Sequence, residues 1–94
     1  MSIEVHDRPD LGRYEVTVDG ALAGFAEYRR ENDVVTFTHT EVDDAFEGQG
    51  VGSALVRGAL DDVRAAGSPV RATCPFVRRW IEKHPDYQDL LATT

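Results

Sequence analysis

One cysteine, Cys74, is all the thiol chemistry that the 94 residues hold. It excludes an internal disulfide and a thiolate-built zinc centre, so no metal site is expected, and it agrees with a reducing compartment. Long apolar runs are missing as well, and nothing approaches the ~20 consecutive residues of a membrane-spanning helix. The opening MSIEVHDRPD has no basic stretch followed by an apolar one, so the expected location is the cytoplasm, away from membranes. Positive charge is scarce. Ten Lys and Arg against 17 Asp and Glu leave a formal net charge of −7, the wrong sign for gripping a nucleic-acid backbone. The same field favours cationic partners such as amines, although acidity also serves solubility. Basic residues gather late, at Arg71, Arg78, Arg79 and Lys83. No repeat or linker interrupts the chain, and its length suits one domain over residues 1–94.

What is present falls into two patterns. The segment GRYEVTVDG places Tyr14, Val16 and Val18 on one face of a strand, and Asp19-Gly20 supplies a tight turn. ALAGFAEYRR predicts a second strand with Phe25 as its bulkiest inward residue, Glu31-Asn32-Asp33 a further turn, and VVTFTHTEV, residues 34–42, a third strand. The three form an antiparallel meander. The period then changes: Val51, Leu55, Val56, Ala59, Leu60 and Val63 recur at helical spacing, and Gly67 with Ser68-Pro69 ends that helix. VRATC, residues 70–74, predicts a strand parallel to 34–42, closing one βαβ crossover. Pro75 starts a second helix, PFVRRWIEKH, expected to bury Phe76, Val77, Trp80 and Ile81, and Pro85 stops it. Tyr87, Leu90 and Leu91 suit a final turn packed on the sheet. The fold class is α/β in the α+β sense: a mixed, mostly antiparallel sheet, one βαβ crossover and two main helices.

Between the third strand and the first helix, residues 47–53 read EGQGVGS, three glycines in seven residues. Glycine at a helix start costs up to ~1 kcal/mol relative to alanine, so helix stability does not explain it. A helix entered through such a loop points its unpaired N–H groups and the positive end of its dipole at whatever lies in front. That is an anion site, and missing Cβ atoms let a phosphate come close to the backbone. A Walker loop requires Gly-Lys-Ser/Thr, and a dinucleotide fingerprint a third small residue with an acidic ribose ligand. Neither pattern is met.

With its flanks, EGQGVGSALV resembles the acetyl-CoA loop of the GNAT superfamily of N-acetyltransferases, Arg/Gln-x-x-Gly-x-Gly/Ala after a central strand. Here Glu47 stands at the Arg/Gln position, and Gly50 and Gly52 match. HTEV (39–42) and CPFVRRWIEKHPDY (74–87) resemble the small single-domain branch of about this length. The resemblance implies a pantetheine arm along the end of strand 34–42, with Glu41 and Val42 offering main-chain groups. It implies a pyrophosphate held by amides of Gly48, Gln49, Gly50, Val51, Gly52 and Ser53, and another phosphate within reach of Arg57, Arg78 or Arg79.

Three residues are candidates for the chemistry. Cys74, ahead of Pro75 at a helix N-terminus, is a nucleophile that could accept the acetyl group, or a small buried apolar residue. His39 and Glu41, two apart on a strand, share a face and could take the proton an attacking amine sheds, directly or through water. His84 and His6 read as structural. No tyrosine lies early in the second helix, where family members often place the acid for the departing thiolate; Tyr87 comes late. The expected function is acetyl transfer from acetyl-CoA to an amine, small or on a protein. The alternative is a CoA-binding or sensing module or a small interaction domain. A miniature chain without extra helices to wall off an acceptor is expected as a monomer or weak homodimer, or docked on a protein substrate.

Overall fold

The computed structural model describes residues 1–92. Five strands order as β1 (Ile3–Arg8), β2 (Arg13–Val18), β3 (Ala21–Glu31), β4 (Val34–Val42) and β5 (Val70–Ala72). The first four are antiparallel neighbours and β5 runs parallel to β4. Helix α1 (Val51–Ala65) makes the crossover between β4 and β5, and α2 (Pro75–Glu82) follows β5. The meander turns are those the sequence called for, with positive φ at Asp19, Gly20, Asn32 and Asp33.

The core is one cluster. Tyr14, Val16 and Val18 of β2, Ala26 and Tyr28 of β3, and Val35 and Phe37 of β4 meet the six apolar positions of α1 that helical spacing picks out. Burying a Leu- or Val-sized side chain contributes about 1.5–3 kcal/mol, so this face of α1 dominates its stability. Gly58 belongs to the same contact, because a Cβ there would stand 2.8 Å from Val5 of β1. Tyr14 and Tyr28 send their hydroxyls out of the core to Asp62 and Asp7, each at 2.6 Å. Burial first and these bonds second raise both phenols, that of Tyr28 to about 12.

Four expectations are corrected. The meander has a fourth strand, β1, whose half-exposed alternation IEVHDR is weakly apolar. Phe25 does not face the core: it lies opposite Glu15, on the face away from Tyr14 and Val16, and Arg13 sits 4.5 Å from its ring centre. The small residues Gly24 and Ala26 face inward instead. β5 stops at Ala72, because the amides of Thr73 and Cys74 both turn to the carbonyl of Phe37, at 3.1 Å each. The second helix ends at Glu82, and Phe76 on its first turn is 44% exposed.

One irregularity sets the sidedness of the sheet's working end. Glu27 pairs with His39 and Tyr28 with Phe37, which leaves Thr38 as an extra residue in β4. Such a bulge reverses which side chains face which way. Val35 and Phe37 point into the core before it. After it, Thr40 and Val42 point to the α1 side, while His39 and Glu41 point away.

Candidate functional site

β5 accompanies β4 only along Val35–Phe37. Beyond that point the chain of β5 departs into α2, and the last residues of β4 pair with β3 alone among the described residues. Half of the main-chain groups of residues 38–42 therefore face a gap instead of a strand. A cleft of about 330 Å³ occupies it, lined by Thr40 and Val42, the glycine loop, the first turn of α1, and Phe76.

The glycines of this loop answer to two different demands. Gly48 (φ 78°) and Gly50 (φ 76°) are left-handed, and a Cβ on either would meet nothing, so conformation is their reason. Gly52 is helical. Its missing Cβ leaves space for the Phe76 ring, whose Cζ would stand 2.8 Å away. The first helical bond of α1 runs from the Ala54 amide to Gly50, so the amides of residues 51–53 have no partner within the helix. They point into the cleft's end with the dipole's positive pole behind them. Glu47, exposed at the rim, is the cleft's only charged side chain.

A second hollow of about 640 Å³ is cut from the same strand end, lined by Leu22 to Phe25 of β3 and by Thr40 to Asp44. Both hollows share Thr40 and Val42. The second carries three carboxylates, Glu41, Asp43 and Asp44, and no cationic residue.

Of the expected coenzyme ligands, Val42, Gly48, Gly50, Val51, Gly52 and Ser53 line the loop cleft. Gln49 is exposed between the two left-handed glycines. Glu41 lines the second hollow; its carboxylate lies 3.2 Å from Nε2 of His39, whose ring centre is 6.3 Å from that of Phe25. Cys74 caps α2 and is 4% exposed, with Sγ 3.4 Å from Oγ1 of Thr40. The structure thus brings His39 and Glu41 together and sets Cys74 on the other face, behind Thr40.

None of the three arginines lines the loop cleft. Arg57 donates to the Tyr87 hydroxyl at 3.2 Å and packs on Trp80. Arg78 borders a hollow beside Val70 and Ile81, and Arg79 is exposed on α2. Tyr87 is equally committed: its hydroxyl donates to Asp61 at 2.7 Å, a bond that raises its pKa, two turns of α1 beyond the loop. Thr40, Phe46 and Phe76 were not anticipated at the site. Thr40 needed the bulge to turn it inward, and Phe76 carried only the ambiguous signal of an apolar residue at a helix start. Among the described residues no metal-ligating cluster occurs, and no helix is long and apolar enough to cross a membrane.

Comparison with known proteins identifies the family and the fold. Residues 13–90 match the family described as GCN5-related N-acetyl-transferase. The chain belongs to that family, and its mixed sheet with few helices is the family's fold. Protein NATD1 of Gallus gallus is 33% identical over 52 residues, 55% of this chain, and the human NATD1 matches at the same level. The chain spans about half the length of these relatives, 47% and 46%. A GCN5-like protein from Staphylococcus aureus, solved in solution by NMR, superposes with a TM-score of 0.73 at 25% identity, over 97% of this chain and 89% of its own. The ribosomal-protein-S18-alanine N-acetyltransferase of Escherichia coli shares the fold, with a TM-score of 0.65 at 22% identity over 76% of this chain and 49% of its own.

Proposed function

We propose that this chain binds acetyl-CoA in the loop cleft and transfers the acetyl group to an amine seated in the second hollow. The observation that carries the reading is the pair of left-handed glycines turning the free amides of residues 51–53 toward an unpaired strand edge. The residues fit such a coenzyme: amides and the Ser53 hydroxyl suit a diphosphate, the open edge of β4 suits the amide-bearing arm, and Val42 and Phe76 wall it with apolar surface. When bound, the coenzyme supplies an activated acyl carbon.

The protein's own groups do the rest. The carboxylates of Glu41, Asp43 and Asp44 attract a cationic amine to the hollow that shares Thr40 and Val42 with the cleft. His39, oriented by Glu41 and by Phe25, accepts the proton that the amine nitrogen sheds as its bond to the acyl carbon forms and the carbon–sulfur bond breaks. The proton that neutralises the departing thiolate comes from solvent, so that the net reaction moves one proton from the amine to the sulfur. Transfer through Cys74 requires Thr40 to move aside first, because the thiol is covered.

A non-catalytic coenzyme-binding module is the second reading, and the burial of Cys74 together with the engagement of the Tyr87 hydroxyl by Asp61, away from the cleft, favours it. Amide NMR titration with CoA tests binding, with shifts expected at residues 40–53 and 74–77. Thiol release from acetyl-CoA across a panel of cationic amines then separates the two readings: saturable turnover supports the transferase, and binding without thioester loss supports the module.

A further inference from the structure

We propose that Trp80 is a positioning residue for the coenzyme's diphosphate, acting through the Ser53 hydroxyl; the inference rests on the coenzyme reading above. Nε1 of Trp80 lies 2.8 Å from Oγ of Ser53. The indole nitrogen can only donate, so this contact assigns the hydroxyl's role: Ser53 accepts from Trp80 and keeps its own proton to give. Ser53 is in the first turn of α1, lines the loop cleft, and makes no second hydrogen bond among the described residues. Its proton is therefore available at the end of the cleft where the amides of residues 51–53 converge, the place a phosphate oxygen would take.

The indole is itself held firmly. It is 6% exposed, stacks on the His84 ring at 3.7 Å between centres with 11° between planes, and meets Tyr87 edge-on at 4.9 Å. The Arg57 guanidinium lies 5.2 Å from its centre. His84 in turn places Nδ1 2.6 Å from the carbonyl of Trp80. An exposed serine normally loses rotamer freedom on binding. Here α2 has already removed it, so the hydroxyl is set before any ligand arrives.

The chain has a single tryptophan, so its indole N–H gives one resolvable NMR signal. On titration with CoA we expect this signal to move together with the amides of residues 50–53. In Ser53→Ala the amides still move, the indole signal stays still, and CoA binds about tenfold more weakly, as expected for loss of a hydrogen bond to a charged group. Trp80→Phe removes the donor and trims the ring packing, with a loss of about threefold for CoA. Ser53→Thr restores wild-type affinity. Pantetheine, which lacks the diphosphate, binds all four proteins alike. Loop amides that shift while the wild-type indole signal does not, or a Ser53→Ala protein that binds CoA at full strength, overturns the inference and leaves the coenzyme reading intact. Equal losses for CoA and pantetheine in Trp80→Phe reduce Trp80 to a structural role and also overturn it. Should Trp80→Phe fail to fold, the Ser53→Ala and Ser53→Thr pair decides. Loop amides that do not respond to CoA at all overturn both.

Discussion

The third glycine of the loop, Gly52, lies so close to Phe76 that a Cβ would stand 2.8 Å from the ring's Cζ. The ring is exposed and can swing, whereas alanine gains up to ~1 kcal/mol of helix propensity. Gly52→Ala is expected to melt at or slightly above the wild-type temperature and to bind CoA more weakly, because the displaced ring enters the cleft. Gly24→Ala is the contrasting case. Its Cβ would stand 2.4 Å from the Glu41 carbonyl oxygen and 3.0 Å from Cα of Val42, both backbone, and a loss on the order of 2 kcal/mol is expected. Thermal melts and calorimetry read both.

Glu47 places a carboxylate beside the amides proposed to hold the diphosphate. Glu47→Gln is expected to tighten CoA binding about threefold and Glu47→Arg further, a modest gain because the residue is exposed and screened. Added salt should shrink the gain. An affinity indifferent to all three side chains would place the carboxylate outside the diphosphate's reach.

His39 and Glu41 form their pair on the face away from α1, beside the acidic hollow. His39→Gln is expected to lower the turnover number about 100-fold with little change in the KM for acetyl-CoA, the signature of a group acting on the proton. Glu41→Gln should cost less, since it orients the ring. Turnover unchanged in His39→Gln would remove the imidazole from the reaction.

Cys74 is covered by Thr40, so direct transfer predicts that Cys74→Ala keeps its activity and that wild-type protein incubated with acetyl-CoA carries no acetyl group on the Cys74 peptide. Peptide mass spectrometry checks this. An acetylated Cys74 together with an inactive alanine variant would establish the two-step route instead.

Stability should fall in alkali for a defined reason. Burial, with the hydrogen bond to Asp7, raises the Tyr28 phenol from 10 to about 12. A raised folded pKa gives stability that is complete below the unfolded value and is lost as pH climbs through the folded one. Urea midpoints are therefore expected to hold up to about pH 9 and to decline between pH 10 and 12. Tyr28→Phe should be less stable at neutral pH, where Asp7 loses its donor, and should show a shallower alkaline decline.

Much of this architecture was legible beforehand, and the reasons are local. The buried stripe of α1 follows from spacing alone, the turns from Asp-Gly and Asn-Asp, and the start of α2 from Pro75. The loop's break before α1 could be read from its glycines, though not the division of labour among them, since the partner of Gly52 sits 24 residues downstream. β1 was missed because an edge strand needs little apolar character. Phe25 was misread because bulk was taken for inwardness, when the inward positions of β3 beside it are small: a Cβ at Gly24 would strike the Glu41 carbonyl of β4. The separation of Cys74 from His39 was invisible for a different reason. Alternation along VVTFTHTEV counts residues, and pairing across β3 and β4 decides how many of them count.

That miscount has a lasting effect on the molecule. Pair every residue of β4 in strict alternation, without the bulge at Thr38, and its tip would turn over: the imidazole and Glu41 would be driven toward the helices, while Thr40 and Val42 would be left facing outward. Both hollows would then lose their common wall. A single surplus residue, contributing no atom to either chamber, thus keeps the two hollows back to back.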